Sequence, residues 1–532
     1  MLTYFVIVPV FIAVLLYLIP FFKARKALVI LAQGALFLAA CYLLYLTRTG
    51  GEVITNVGNY TDLLGIFLRA DQLSAMFVVL TTLMFLIITI YSFNEQKDSR
   101  LFWFLLFIWE GAFIGLFLTK DLFNIFVLAE VSSAVAAVLL MYKRTSRSSY
   151  HGIIFLMVNV IVMQFYLLGI GYLYMLTGAL DMAHSHAIIS TLDHSQLILP
   201  FALIMTAIAA KSSILPLFTF LPKVQSIPRA PVSVAALFSA LQVKSGLYLF
   251  LRFRHMFEVI DVTGIFLVLG VLTAVAGVAF ALAETDMKRL LAYSTVAQAG
   301  LIMVGLNLDG AYAYTGSIYH VITHAIAKAL LFLAAGVIIR VYNTRSMGEV
   351  RGVLRRLPVV GVCMVLGMLS ITGAPLFGGN ISKYFMMADV NMPLFVLMSL
   401  LNLGTILVCI KFARMLFGKP VETMAQPVQV DRFKQTALVI LATLCLVGGV
   451  FGPALMRLLF GVDARVSIGG FVEKLIVLLV SWAVALLVSK YRHLGNKGLR
   501  RVMERLDFGF RGITVSMGAF LVLMLLLVGV VV

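Results

Sequence analysis

The chain has 532 residues, of which 62% are hydrophobic and only 12% charged. That balance excludes an ordinary soluble domain. Its net charge of +18 comes from basic residues scattered between apolar runs, which excludes a nucleic-acid-binding module and fits membrane topology instead.

A membrane span needs about 20 mainly apolar residues, and such stretches recur from end to end. In chain order the apolar runs predict 16 spans, at 2–20, 27–46, 72–92, 101–118, 122–141, 151–177, 197–220, 231–251, 263–284, 290–306, 312–339, 358–388, 393–417, 435–454, 470–489 and 512–531. The first lacks a basic leader and a small-residue cleavage site, so it reads as a span rather than a signal peptide. The spans divide into an N-terminal group (1–100), a core (101–420) and a C-terminal extension (421–532). Within that extension, 490–511 is basic, with Leu499, Met503, Leu506 and Phe510 at roughly helical spacing. It reads either as a helix lying against anionic lipid headgroups or as a solvated basic loop. Alternate loops, beginning with Lys23, Arg25 and Lys26, hold most of the 41 Lys and Arg residues. The positive-inside rule therefore predicts that both termini face away from the cytoplasm.

Charges inside the spans are the functional signal, because each costs at least about 2.5–3.5 kcal/mol at the bilayer centre. Glu130 lies nine residues beyond Asp121, or about 13 Å along a helix, which places it near the membrane middle. Among the basic residues within these spans, Lys211, Lys244, Lys328 and Lys383 are the functional candidates. Lys211 precedes Pro216, and Lys383 follows Gly373, Pro375, Gly378 and Gly379. Helix breaks are expected at Pro216 and around Gly373, Pro375, Gly378 and Gly379, and broken helices expose carbonyls to ions. His320, His324 and Lys328 recur at i, i+4, i+8 and so share one helical face. Two histidines at that spacing suit a metal, satisfied core hydrogen bonds or a proton relay. An adjacent carboxylate is missing and Lys328 would repel a cation, so the relay is favoured and no metal is expected. Cys41, Cys363, Cys409 and Cys445 show no CxxC spacing, which argues against zinc or iron–sulfur frameworks; no cofactor is expected. A lysine that gains or loses a carboxylate partner can load or release a proton, and histidine suits intermediate steps.

The stretches GLFLTKDLFNIFVLAE (115–130), PVSVAALFSALQVKSGLYLFLR (231–252), DMKRLLAYSTVAQAG (286–300), HVITHAIAKALLFLAAG (320–336) and LSITGAPLFGGNISKY (369–384) carry a resemblance. They resemble the antiporter-like membrane subunits shared by respiratory complex I, membrane-bound hydrogenases and Mrp cation/proton antiporters. The resemblance covers roughly residues 60–420. It implies an all-α polytopic fold with a 14-helix core, two inverted five-helix repeats and extra C-terminal helices, in a prokaryotic cytoplasmic (inner) membrane. It also implies that Glu130 and Lys211 form a carboxylate–lysine pair, that Lys244 connects the halves, and that His320, His324 and Lys328 form a central relay ending at Lys383. Asp121 would sit at the outer rim. One run departs from the family pattern: where a PLHFWLPDAH-like sequence is usual, this chain has PLFTFLPKVQ, with Phe218, Phe220 and Lys223 replacing polar or charged groups.

The chain has no GxGxxG, P-loop or cysteine cluster, so no catalytic or redox site is expected in it. The leading expectation is a proton-translocating subunit of a multisubunit membrane complex of the redox-driven complex I or hydrogenase type. Its partners would be other membrane subunits, a peripheral redox arm, lipids, H+ and possibly Na+. The alternatives are an Mrp-type Na+/H+ antiporter subunit and a membrane partner in inorganic-carbon accumulation.

Overall fold

The computed structural model describes residues 1–19, 22–57, 65–96, 99–143, 145–227, 230–388, 390–419, 429–462, 468–491, 498, 501 and 509–531. In order its helices are α1 (Leu2–Leu18), α2 (Phe22–Gly50), α3 (Gln72–Ser92), α4 (Arg100–Leu118), α5 (Leu122–Leu140), α6 (Ser146–Thr177), α7 (Met182–Ile189), α8 (His194–Lys211), α9 (Phe220–Gln225), α10 (Val232–Leu237) and α11 (Val243–Met256). They continue with α12 (Thr263–Ala283), α13 (Met287–Leu306), α14 (Ala311–Tyr342), α15 (Val353–Arg356), α16 (Pro358–Thr372), α17 (Gly378–Met386), α18 (Met392–Ala413), α19 (Arg432–Val450), α20 (Gly452–Phe460), α21 (Ile468–Tyr491) and α22 (Phe510–Val531). Among the described residues, thirteen helical stretches are long and apolar enough to cross a membrane. Each of the 16 expected spans falls on a helix or on a broken pair of helices. Of the basic stretch 490–511, residues 492–497, 499–500 and 502–508 lie outside the described residues.

One local feature departs from the all-helical expectation. Strands β1 (Val53–Val57) and β2 (Ile66–Ala70) form an antiparallel hairpin with Val53 opposite Ala70. Both strands carry β-branched residues that suit a half-buried pleat. The count of basic residues inside helices also grows. Arg252 and Arg254 lie on α11, Lys288 and Arg289 on α13, and Lys411 on α18, all towards helix ends.

Two five-pass units repeat within the chain: α4, α5, α6, α8–α9 and α10–α11, then α12, α13, α14, α16–α17 and α18. In each, an aspartate caps the second helix. Asp121 accepts from the Asn124 N–H at 2.6 Å, and Asp286 from the Lys288 and Arg289 N–H groups at 2.8 and 3.1 Å, as N-caps do. The third helix has 32 residues in both units. It stops at a left-handed residue, Gly178 (φ 67°) in the first unit and Asn343 (φ 51°) in the second. The chain then returns to the capping aspartate. Leu122 N–H donates to the Leu180 carbonyl (2.8 Å) and Met182 N–H to that of Lys120 (3.0 Å). In the second unit Met287 N–H donates to Arg345 (3.0 Å) and Met347 N–H to Thr285 (3.0 Å). Five passes is an odd number, so the second unit enters the membrane from the opposite side. The repeat is inverted.

The fourth pass of each unit is broken, one turn earlier than proline placement predicts. α8 ends at Lys211, Ser213 takes φ 58°, and the Ile214 N–H reaches back to the Ala209 carbonyl at 3.0 Å. α16 ends at Thr372, Gly373 takes φ 82°, and the Ala374 N–H reaches Leu369 at 3.0 Å. Both are the six-to-one closures of left-handed helix ends. Pro216 and Pro375 therefore follow breaks already made. Gly378 and Gly379 lie outside the break and open α17 instead. A Cβ on Gly379 would stand 1.8 Å from the Ser370 carbonyl oxygen, so only glycine lets α17 approach α16.

The central helices pack through small residues, as membrane helices do where backbones meet closely. α12 and α13 cross at Gly270, Gly277 and Gly300; a Cβ on Gly277 would lie 2.4 Å from the Ala297 nitrogen. Gly277→Ala is accordingly expected to destabilise the chain by about 1–3 kcal/mol, read as a lower thermal midpoint in detergent. An unchanged midpoint would show that this crossing is loose.

Candidate functional site

Glu130 sits half-buried on α5, one turn before Ser133 on the same face. Lys211 is buried at the last position of α8, and its ammonium donates to the Ser133 hydroxyl at 3.5 Å. Ser133 also lies 3.4 Å from the Asn159 Oδ1 of α6. Glu130 and Lys211 feel each other's charge, yet no direct ion pair joins them among the described residues. The expected pair is therefore an electrostatic neighbourhood with Ser133 in between.

Lys244 follows a one-turn π-helix, Phe238–Gln242, a feature frequent at functional sites. Its ammonium donates back to the Ser239 carbonyl, and the Ser239 hydroxyl meets that of Thr295 on α13 at 2.8 Å. Lys328, fully buried on α14, donates to the Ser294 hydroxyl at 2.8 Å and the Leu291 carbonyl at 3.1 Å. One turn of α13 thus anchors both lysines, which face each other as like charges. The next turn supplies Gln298. Its Oε1 lies 2.9 Å from His320 Nε2, while its Nε2 donates to Thr405 at 2.9 Å. On the other side of that ring the Ser382 hydroxyl lies 2.8 Å from Nδ1 and 3.2 Å from the Gly379 carbonyl. A hydroxyl rotates, so Ser382 can donate to Nδ1 of a neutral ring or accept from a charged one. The His324 ring stacks on that of His320 with centroids 6.1 Å apart. It is 2% exposed, and neither ring nitrogen has a hydrogen-bond partner among the described residues.

Lys383 ends this line on α17. Its ammonium donates to the Ile371 carbonyl and to Asn402 Oδ1, both at 2.6 Å. Asn402 Nδ2 in turn donates to the Thr372 carbonyl at 3.2 Å, and Asn380 Nδ2 to that of Gly373 at 3.1 Å. The carbonyls freed by the break are thus held by one lysine and two asparagines. Among the described residues no group of three or more His, Cys, Asp or Glu is placed to hold a metal.

Sequence reasoning passed over the neutral partners Ser133, Ser294, Thr295, Gln298, Ser382 and Asn402. Ser294, Thr295 and Gln298 lie inside the quoted stretch 286–300, at the spacing of one helical face. It also passed over Glu110, a fully buried carboxylate on α4 that accepts from Gln33 Nε2 at 2.6 Å. At the β-hairpin end of the bundle, Asp71 receives both Arg252 guanidinium nitrogens at 2.5 Å, with Lys120 at 3.4 Å. Burial acts to raise the Asp71 carboxyl, but Arg252 and then Lys120 outweigh it and hold it well below the usual carboxylate range. Phe218 packs against Phe280 and Tyr293, with ring centroids 5.6 and 6.4 Å away.

A family model described as NADH:quinone oxidoreductase/Mrp antiporter, TM matches residues 119–408. The N subunit of the NADH-quinone oxidoreductase of Desulforudis audaxviator is 30% identical over 446 residues, 79% of this chain and 87% of that protein. The D subunit of the Na(+)/H(+) antiporter of Alkalihalophilus pseudofirmus is 29% identical over 362 residues, 66% of this chain and 73% of the other. Two solved structures share the fold. One is a chain of the membrane-bound sulfane sulfur reductase, an archaeal respiratory membrane complex (TM-score 0.78, 21% identity). The other belongs to the Mrp complex from Dietzia sp. DQ12-45-1b (TM-score 0.78, 22% identity). Each match covers 91% of this chain and 99% of the other.

Two outcomes follow from this geometry. Asn402→Leu removes one of two acceptors from Lys383 and a donor from Thr372; proton movement in vesicles is expected to slow about tenfold or more, and a rate within twofold of wild type would argue against a role for Asn402. Arg252→Ala should raise the Asp71 carboxyl. A depressed carboxyl contributes stability above its unfolded value of about 3.9 and loses it as pH falls through the folded value. The variant should therefore unfold in acid at a higher pH than wild type, followed by intrinsic fluorescence in detergent. Coincident acid transitions would show that the pair contributes nothing.

Proposed function

Because this chain belongs to the NADH:quinone oxidoreductase/Mrp antiporter membrane family, we propose that Glu130, Lys211, Lys244, His320, His324, Lys328 and Lys383 carry protons along its midplane. It is a multi-pass membrane protein, and its relatives are subunits of multisubunit membrane complexes. One observation carries the reading. Three buried lysines and a histidine follow one another across α11, α14 and α17, and among the described residues each is hydrogen-bonded to neutral oxygens alone. A buried charge without a counter-ion is costly, so such a row serves structure poorly and suits groups whose charge is transient. Protonation would pass from the Glu130–Lys211 neighbourhood through Lys244, Lys328 and the histidines to Lys383.

In the leading form, a peripheral redox partner drives the proton movement. Exchange of Na+ for H+ is the second form, supported by the relatives named as Na(+)/H(+) antiporter subunits. The distribution of basic loops supports both termini facing away from the cytoplasm. Proteins that co-purify with the chain distinguish the two forms: iron–sulfur proteins for the first, small antiporter subunits for the second.

Lys211→Ala and Lys383→Ala are each expected to lower proton movement at least about a hundredfold in everted vesicles carrying the whole complex, with assembly retained. If both variants pump at the wild-type rate, the row is structural and the reading is wrong.

A further inference from the structure

The helix α21 lies beyond the residues that the family model matches, yet it reaches the end of the buried row. It packs along α18 through Leu478, Trp482 and Ala485 against Leu403, Ile406, Leu407 and Ile410. A cavity of about 40 Å³ lies between α21, α17 and α18, and Lys383, Asn380, Ser399, Asn402, Lys474 and Ser481 supply its polar walls. Lys474 and Ser481 come from α21. The lining also includes Met387 and Phe395, so the space runs from the helix break towards the turn joining α17 to α18. A polar space of this volume can hold two or three waters, each needing about 10–15 Å³.

Lys474 is more than a lining residue. Its ammonium donates to the Tyr384 carbonyl at 2.7 Å and lies 4.2 Å from the centroid of the Tyr384 ring. Tyr384 is in the last turn of α17, where carbonyls lack helical partners. Lys474 therefore ties the extra helix to the residue next to Lys383. On the wall between them, the Ser399 hydroxyl is buried with no partner among the described residues, one helical turn before Asn402 on α18.

We propose that this cavity is where the row opens to the aqueous phase and that Lys474 is its last proton-carrying group. The proton leaves the Lys383 ammonium, crosses the cavity past Ser399 and is taken by the neutral amine of Lys474. From there it is released at the α17–α18 turn. Lys383 is left as an amine and is reloaded from the His320 side. This extends the proposed row by one residue and rests on it. The additional C-terminal helix thereby becomes part of the path.

The test uses Lys474→Cys in the whole complex with Cys41, the exposed natural cysteine, changed to Ser. Proton movement should fall at least tenfold. Treatment with 2-aminoethyl methanethiosulfonate, which rebuilds a titratable amine, should restore most of it. The trimethylammonium analogue rebuilds charge without a transferable proton and should restore none. Rescue by both reagents would make Lys474 a fixed charge or cap and overturn the relay, as would a wild-type rate before treatment. Should Lys474→Cys fail to assemble, Ser399→Cys in the same background reports on the cavity. Its modification by the trimethylammonium reagent should block proton movement, and an unaltered rate would overturn the opening. Lys211→Ala serves as the control: a wild-type rate there sinks the row itself, whereas its loss beside an unaffected Lys474→Cys sinks only this extension.

Discussion

Inside a bilayer each backbone carbonyl must find a donor within the protein, and a broken helix defies that rule. The break between α16 and α17 is possible because side chains complete it: Lys383 donates to Ile371, Asn402 to Thr372 and Asn380 to Gly373. An ammonium has three N–H groups and its neutral amine two, while Lys383 has two acceptors here. The break therefore stays satisfied whether or not Lys383 carries its proton. Completing the break is thus compatible with the change of charge proposed for this nitrogen.

The same economy governs the middle of the row. The Leu291–Thr295 turn of α13 holds Lys328 directly and Lys244 through Ser239. Among the described residues neither lysine has a carboxylate partner; both are held by neutral oxygens. The π-turn before Lys244 aims its side chain back along its own helix to Ser239, and without it the residue would be one position out of phase. His320 is held between Gln298 and Ser382, and the rotatable hydroxyl allows either charge state.

Much of this could be read from the sequence. Charges in apolar runs are rare enough to stand out, so the seven residues proposed for the row, and the five helices bearing them, could be picked out from the sequence. The breaks were legible only roughly. Gly373 was among the residues expected to interrupt its span and is the left-handed residue there, whereas in the first unit the break falls at Ser213, ahead of the Pro216 that announced it. The partners of the row were not legible, because Ser, Thr, Asn and Gln are common in membrane helices and periodicity alone does not say which face they meet. Glu110 carries the same signal, a charge in the middle of the apolar run 101–118, and was passed over; what the sequence hid is its partner Gln33, 77 residues away. The hairpin was hidden because two short β-branched runs between helices look like a loop.

The two ends of the row are built differently, and the difference bears on direction. Lys383 is clamped by two acceptors at 2.6 Å. Lys211 touches only Ser133 at 3.5 Å, and the hydroxyls of Ser212 and Ser213 beside it have no partner among the described residues. A loosely held lysine can follow a nearby charge, and Glu130 is the charge it feels. In the run that departs from the family pattern, Phe218 packs in an aromatic cluster with Phe280 and Tyr293. Ser133 in turn lies 3.4 Å from the Asn159 Oδ1 of α6, so the polar contact of Lys211 leads towards the helix that carries Glu130. The two ends of the proposed row therefore differ in how closely their ammonium groups are held, by one hydroxyl at 3.5 Å at Lys211 and by two acceptors at 2.6 Å at Lys383.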